Sequence, residues 1–152
     1  MATPEERLAE LGLRVPDVAK PVATYVPAVR SGNLVFTSGQ LPMRSGELMQ
    51  TGKVGDDVSP DEAAECAQQC ALNAIAAVKA ELGDLDQVKR VVKAVVFVAS
   101  TPDFTGQPQV ANGASELFGS AFGDAGVHAR SAVGVPVLPL DAPVEVELVV
   151  EF

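Results

Sequence analysis

The sequence predicts an α+β domain, one mixed sheet with two helices packed on one face. Three observations predict it. Two stretches carry helical apolar stripes between clear caps. Several short runs alternate or are rich in β-branched residues. The order of these elements is ββ(β)αβαββ, with no repeat, low-complexity segment or linker, so residues 1–152 read as one domain.

Thr3-Pro4-Glu5-Glu6 is a helix start, with threonine as N-cap, proline in the first turn and Glu6 closing a capping box. This short helix is expected to run to Leu11 and stop at Gly12, with Leu8 and Leu11 packed on the domain. Residues 1–20 thus read as an N-terminal extension. Val22–Val29 and Asn33–Ser38 read as strands around a turn at Arg30-Ser31-Gly32-Asn33. The loop Ser38-Gly39-Gln40-Leu41-Pro42 follows, and Gly39 admits either the close approach of a ligand or a simple bend. Gly46–Gln50 is read as an edge strand.

Ser59-Pro60-Asp61-Glu62 repeats the cap, proline and capping box, opening a helix that ends at Leu82 before Gly83. Its stripe is Cys66/Ala67, Cys70/Ala71, Ala74/Ile75, Val78 and Leu82, small residues that let a helix sit close on a sheet. Val88–Ala99 is a β-branched strand whose second half is apolar on both faces, as an interior strand requires. A second helix over Gln107–Phe122 turns Val110, Ala114, Leu117, Phe118 and Ala121 inward, with Asn112 off that stripe. Ala129–Val135 and Val144–Phe152 are the last strands. In the latter, Val144, Val146, Leu148, Val150 and Phe152 alternate with Glu145, Glu147 and Glu151. The sheet face away from the helices is too apolar for water, which predicts a homo-oligomer that covers it.

Apolar residues make up 47% and charged residues 20%, the balance of a globular domain. No apolar run approaches the ~20 residues of a membrane span, and the acidic N-terminus lacks a signal core, so a cytoplasmic location is expected. The net charge of −9, with Lys89, Arg90 and Lys93 the only tight basic group, weighs against nucleic acid as a partner. Charge repulsion is screened beyond about 8 Å, so a small carboxylate can still be held by one arginine. Cys66 and Cys70 lie on one helix face, about 5–6 Å apart at Cβ, too far for an undistorted disulfide. With His128 they fall short of a zinc set, and they read as small buried helix residues.

Arg130 and Glu145, on the last two strands, invite a chemical reading. Arginine is a planar fork of donors suited to a carboxylate, and glutamate can accept a proton. Spacing alone does not bring them together. Arg130 can equally serve a salt bridge, and Glu145, Glu147 and Glu151 can be one solvated face. His128, just before the strand, reads as structural, and no base is placed to make Ser131 a nucleophile.

At Ser38-Gly39-Gln40, Arg130-Ser131, Leu138-Pro139 and Val144-Glu145-Val146-Glu147, in order over roughly Tyr25 to Glu147, the chain resembles the Rid family. This is the YjgF-like, reactive intermediate deaminase family, also labelled endoribonuclease L-PSP; the N-terminal helix and Asp103–Gln107 look like those of a longer subgroup. The resemblance implies a chorismate-mutase-like fold and a homotrimer whose sheets form a central barrel, with ligand clefts between subunits. It implies hydrolysis of enamines or imines to 2-keto acids and ammonia, without metal or cofactor. Arg130 matches the arginine that pairs with the substrate carboxylate, and Glu145 the acid that positions or activates water. Tyr25 and Asn112 match pocket residues, and Gly39 a position whose backbone faces the ligand. Ala132 stands where better-known members carry a cysteine, its backbone lining the cleft, and Gly134 where many carry a glutamate. Those departures leave open a second reading, a trimeric binder of small carboxylates without turnover. Ribonuclease action is disfavoured by acidity and the lack of an aromatic–basic face.

Overall fold

The computed structural model describes residues 1–18 and 24–152. Helices form where caps and apolar stripes coincide. Helix α1 (Pro4–Glu10) and helix α2 (Pro60–Leu82) both begin with complete capping boxes, Thr3 with Glu6 and Ser59 with Glu62. Helix α2 stops at Gly83, whose φ of 84° suits glycine. Every predicted stripe residue of α2 is buried. The same holds for the five inward residues of helix α3 (Gln107–Phe122).

The strands are β1 (Ala28–Ser31), β2 (Leu34–Thr37), β3 (Met43–Arg44), β4 (Glu47–Leu48), β5 (Arg90–Ala99), β6 (Ala129–Val135) and β7 (Val144–Glu151). Five of them make one mixed sheet in the order β1-β2-β7-β5-β6. Only β5 and β6 run parallel, joined by the α3 crossover. Val144, Val146, Leu148 and Val150 of β7 are buried with Ala94, Val96 and Val98 of β5 under the helices. The opposite face carries Glu145 and Glu147 with Phe97 and Val95. On or beside it Val29, Phe36 and Val133 are 50%, 41% and 43% exposed, the apolar exposure expected of that face.

Four expectations about the strands and their turns need correction. The strand at Val22–Val29 falls partly on residues outside the described ones, and among the rest pairing begins only at Ala28. Pro27 just before it has no N–H for a ladder. The turn is shorter than expected, Gly32 and Asn33 alone, so Arg30 and Ser31 belong to the strand. Gly32 has φ 61° at the first turn position. Residues 46–50 add no edge to the main sheet; β3 and β4 form their own hairpin against α2. Asn73 holds that hairpin, donating to the Leu41 and Met43 carbonyls at 3.0 Å each. Finally, β5 begins at Arg90, because a short 3-10 turn at Leu85–Gln87 ends at Val88.

Of the two leucines expected to anchor α1, Leu8 is fully buried, whereas Leu11, at the C-cap, is 55% exposed. No helix among the described residues is long and apolar enough to cross a membrane.

Candidate active site

Arg130 is the second residue of β6, an edge strand beside α3. Its register partner is the buried Ala94, which places its side chain on the helix face. There Arg130 Nη1 donates to Asn112 Oδ1 at 2.8 Å and to Ser115 Oγ at 3.2 Å, both on α3. Among the described residues no carboxylate pairs with Arg130. The salt-bridge alternative is therefore not realised in the protomer. A guanidinium held on one nitrogen by neutral oxygens keeps donors to offer a planar anion.

Ala132 and Gly134 follow on the same face, in register with Val96 and Val98. A Cβ at Gly134 would stand 2.8 Å from Gln107 Nε2 and 2.9 Å from Ser100 Oγ, so a longer side chain would displace Gln107. Strand β6 thus offers only small groups beside Arg130.

Glu145 belongs to the other side. It alternates with buried Val144 and Val146 and is in register with Phe97. Its carboxylate lies against Gly39, where a Cβ would meet Oε2 at 2.0 Å. The ladder continues beside it, Gln40 and Val146 exchanging N–H···O bonds of 2.8 and 3.0 Å. Partial burial pushes the Glu145 carboxyl above the usual carboxylate range, and the nearby Glu147 charge adds to this. Such an acid is better suited to proton transfer near neutral pH than a solvated one.

Tyr25 is half-exposed and lines a groove of about 380 Å³ with Val29, Phe36 and Ser38 at the β1–β2 edge. Ser38 Oγ donates to the Val26 carbonyl at 2.5 Å, tying the start of that groove to the strand before Gly39.

The candidates therefore divide into two sets. Asn112, Arg130 and Ala132 share the helix face at the β6 edge, and Gly39 and Glu145 meet on the opposite face. Arg130 and Glu145 lie on consecutive strands in the chain, but β5 separates those strands in the sheet. Within one protomer they do not face a common hollow, because register puts their side chains on opposite surfaces.

His128 is held at both ring nitrogens. Its Nδ1 is 2.6 Å from the Gly126 carbonyl and its Nε2 2.9 Å from Ser115 Oγ. Ser115 is a residue that sequence reasoning does not single out; its only signal is its place three positions past Asn112, on the same helix face. Cys66 and Cys70 are free and buried. Burial, then the Glu65 charge, pushes the Cys66 thiol up to about 11, so it is not a reactive thiolate. Among the described residues no cluster of three His, Cys, Asp or Glu side chains is placed to hold a metal.

Comparison with known proteins agrees with this architecture. The family model for YjgF/chorismate mutase-like proteins, which also carries an endoribonuclease label, matches residues 5–152. Protein TCP17 of Trypanosoma cruzi is 48% identical over 146 residues, 95% of this chain and 91% of its own. A 2-iminobutanoate/2-iminopropanoate deaminase of Dermatophagoides farinae is 34% identical, over 91% of this chain and 93% of its own. An Agrobacterium tumefaciens protein of unknown function has a crystal structure that superposes with a TM-score of 0.93 at 48% identity, covering 99% of this chain and 93% of its own. The chain is a member of the YjgF/chorismate mutase-like family, and its α+β fold is that family's fold.

Proposed function

We propose that the protein hydrolyses small 2-imino acids and their enamine tautomers to 2-keto acids and ammonia, in the cytoplasm, at a site shared between copies of the chain. Arg130, which pairs with no carboxylate among the described residues, is the observation that carries this reading. The names of relatives such as the Dermatophagoides farinae deaminase support the reaction class.

One set of groups supplies Asn112, Arg130 and Ala132; the other supplies Gly39 and Glu145, with Tyr25 at the adjoining groove. Two different surfaces of one chain that complete each other make a head-to-tail contact, which closes into a ring when the rotation between successive copies divides a full turn. The resemblance to the Rid family implies three members for that ring. The exposed Val29, Phe36 and Val133 supply apolar area for such an assembly.

In this site Arg130 grips the substrate carboxylate and fixes the imine carbon near a water molecule. Glu145 of a neighbouring copy takes a proton from that water as its oxygen bonds to the carbon of the protonated imine and the C=N π pair moves to nitrogen, giving a neutral carbinolamine. Returned to nitrogen, the proton makes an amine leaving group; the carbonyl forms as the hydroxyl proton is lost and ammonia departs. No oxidant or metal enters this balance. An arginine–carboxylate pair contributes about 1.5–3 kcal/mol, enough to orient a small acid.

The test generates 2-iminopropanoate with a dehydratase and follows pyruvate. Acceleration over the spontaneous rate is expected. Subunits carrying Arg130→Ala and subunits carrying Glu145→Gln, each inactive alone, should regain activity when unfolded and refolded together. No acceleration by the wild type ends the hydrolase reading, and no recovery on mixing ends the shared site. Ala132 favours one alternative, a binder of small carboxylates; keto-acid binding that Arg130→Ala abolishes, without turnover, would establish it.

A further inference from the structure

Behind Arg130 runs a single file of hydrogen bonds that the proposed reaction does not use. It begins at the Gly126 carbonyl, which can only accept, so His128 Nδ1 carries the proton across their 2.6 Å contact. In the neutral ring this leaves Nε2 bare. Ser115 Oγ, 2.9 Å away, must therefore donate to it. The hydroxyl then turns a lone pair toward Arg130 Nη1, which donates to it across 3.2 Å. Asn112 Oδ1 takes the other hydrogen of Nη1 at 2.8 Å.

The file has one direction, set at its far end by a backbone carbonyl. The imidazole cannot easily swing out of it, because its ring packs edge-on against Phe118, fully buried, with centroids 5.5 Å apart and planes at 87°. Both hydrogens of Nη1 are committed to α3, so the guanidinium plane is fixed and its Nη2 and Nε donors remain to be presented.

We infer that Ser115 and His128 are positioning residues that hold the Arg130 guanidinium in the orientation that receives a small 2-keto or 2-imino carboxylate. This rests on the reading of Arg130 as the carboxylate grip. Without His128, the Ser115 hydroxyl is free to point its proton at Arg130, donor against donor. Without Ser115, Nη1 keeps only Asn112 and the side chain can rotate about that single contact. A misoriented grip weakens substrate and transition state alike, so the loss belongs in KM rather than in kcat.

The test compares wild type, Arg130→Ala, Ser115→Ala, Ser115→Thr and His128→Phe in 2-iminopropanoate hydrolysis and in calorimetric binding of pyruvate. Phenylalanine keeps an aromatic ring against Phe118 without the acceptor, and threonine keeps the hydroxyl. Ser115→Ala and His128→Phe should each raise KM and the pyruvate Kd about fivefold to tenfold with kcat within twofold, and Ser115→Thr should restore wild-type values. Arg130→Ala reduces binding if the grip is correct. If it does so while Ser115→Ala and His128→Phe leave KM and Kd unchanged, or lower only kcat with the folded fraction, the positioning role is overturned alone. Unchanged pyruvate binding in Arg130→Ala overturns the grip and the positioning role with it.

Discussion

The Glu145 carboxylate fills the space that a side chain at position 39 would need: a Cβ on Gly39 would stand 2.0 Å from Oε2 and 2.7 Å from Cδ. Gly39 is not in the left-handed region, so a side chain there is opposed by the nearness of the Glu145 carboxylate and not by backbone conformation. The close approach invited by the sequence is thus made by this chain's own acid.

Gly39→Ala should separate activity from stability. The clashing atoms are the far end of a flexible side chain, which can turn away, so the melting temperature should fall by only about 1–4 °C, corresponding to about 1 kcal/mol or less. The displaced carboxylate should lower kcat for imine hydrolysis at least about tenfold, the size of a lost proton-transfer group. Thermal unfolding and steady-state kinetics on one preparation check this. A large drop in stability with unchanged kcat would remove Glu145 from the chemistry.

The raised Glu145 carboxyl should leave opposite marks in two pH series. The folded chain binds this proton more tightly than the unfolded chain, so Glu145 ionisation costs stability at high pH. That cost is relieved as pH falls through the raised folded value toward the ordinary glutamate range. Activity needs the ionised form and should fall over the same window. Glu145→Gln should stabilise the protein at pH 8 and flatten this part of the stability profile. Melting curves from pH 4.5 to 8 for both proteins check it; parallel profiles would contradict the burial argument.

Much of this was legible in the chain because local rules suffice for it. Capping boxes at Thr3/Glu6 and Ser59/Glu62 located two helix starts to the residue, and the alternation of Val144, Val146, Leu148 and Val150 identified the buried face of β7. What period-two alternation does not contain is the phase of one strand relative to another. ARSAVGV carries small residues on both faces, so nothing in it says that Arg130 looks toward α3; that follows from pairing with Ala94, a tertiary contact. The insertion of β5 between β6 and β7 is likewise a matter of topology. Ser115 joins the site through three-dimensional neighbours alone.

Two glycines of α3 should respond oppositely to alanine. Gly113 crosses α2 so closely that a Cβ would stand 2.1 Å from the Ala64 carbonyl oxygen, a backbone atom that cannot turn aside. Gly119 has nothing within 4 Å. Gly119→Ala should stabilise by about 0.5–1 kcal/mol through helix propensity. Gly113→Ala should destabilise by about 1–3 kcal/mol as an overpacked contact, despite the same gain in propensity. Denaturant or thermal unfolding at equal protein concentration checks the pair. Stabilisation by both would mean that the α2–α3 crossing is wider.

The hairpin of β3 and β4 depends on one buried amide. Asn73 is 2% exposed; it donates to the Leu41 and Met43 carbonyls and accepts from Gln69 Nε2 at 3.1 Å, while Gln69 Oε1 accepts from Arg44 Nε at 3.4 Å. No described buried side-chain polar atom is left without a partner. Asn73→Leu has similar volume but removes both donors and the acceptor, leaving the Met43 carbonyl and the Gln69 amide without these bonds, while the Leu41 carbonyl keeps the Met43 N–H at 2.8 Å. The expected loss is about 2–4 kcal/mol, because stranded buried groups cost more than the bonds themselves contribute. It should be felt locally first, since β3 and β4 pair only with each other. Limited trypsin digestion should therefore cut after Arg44 faster in Asn73→Leu than in wild type, before the main sheet opens. Pyruvate binding at Arg130, on a different edge of the fold, should survive in the folded fraction. Equal cutting rates would show that backbone pairing alone keeps the hairpin in place.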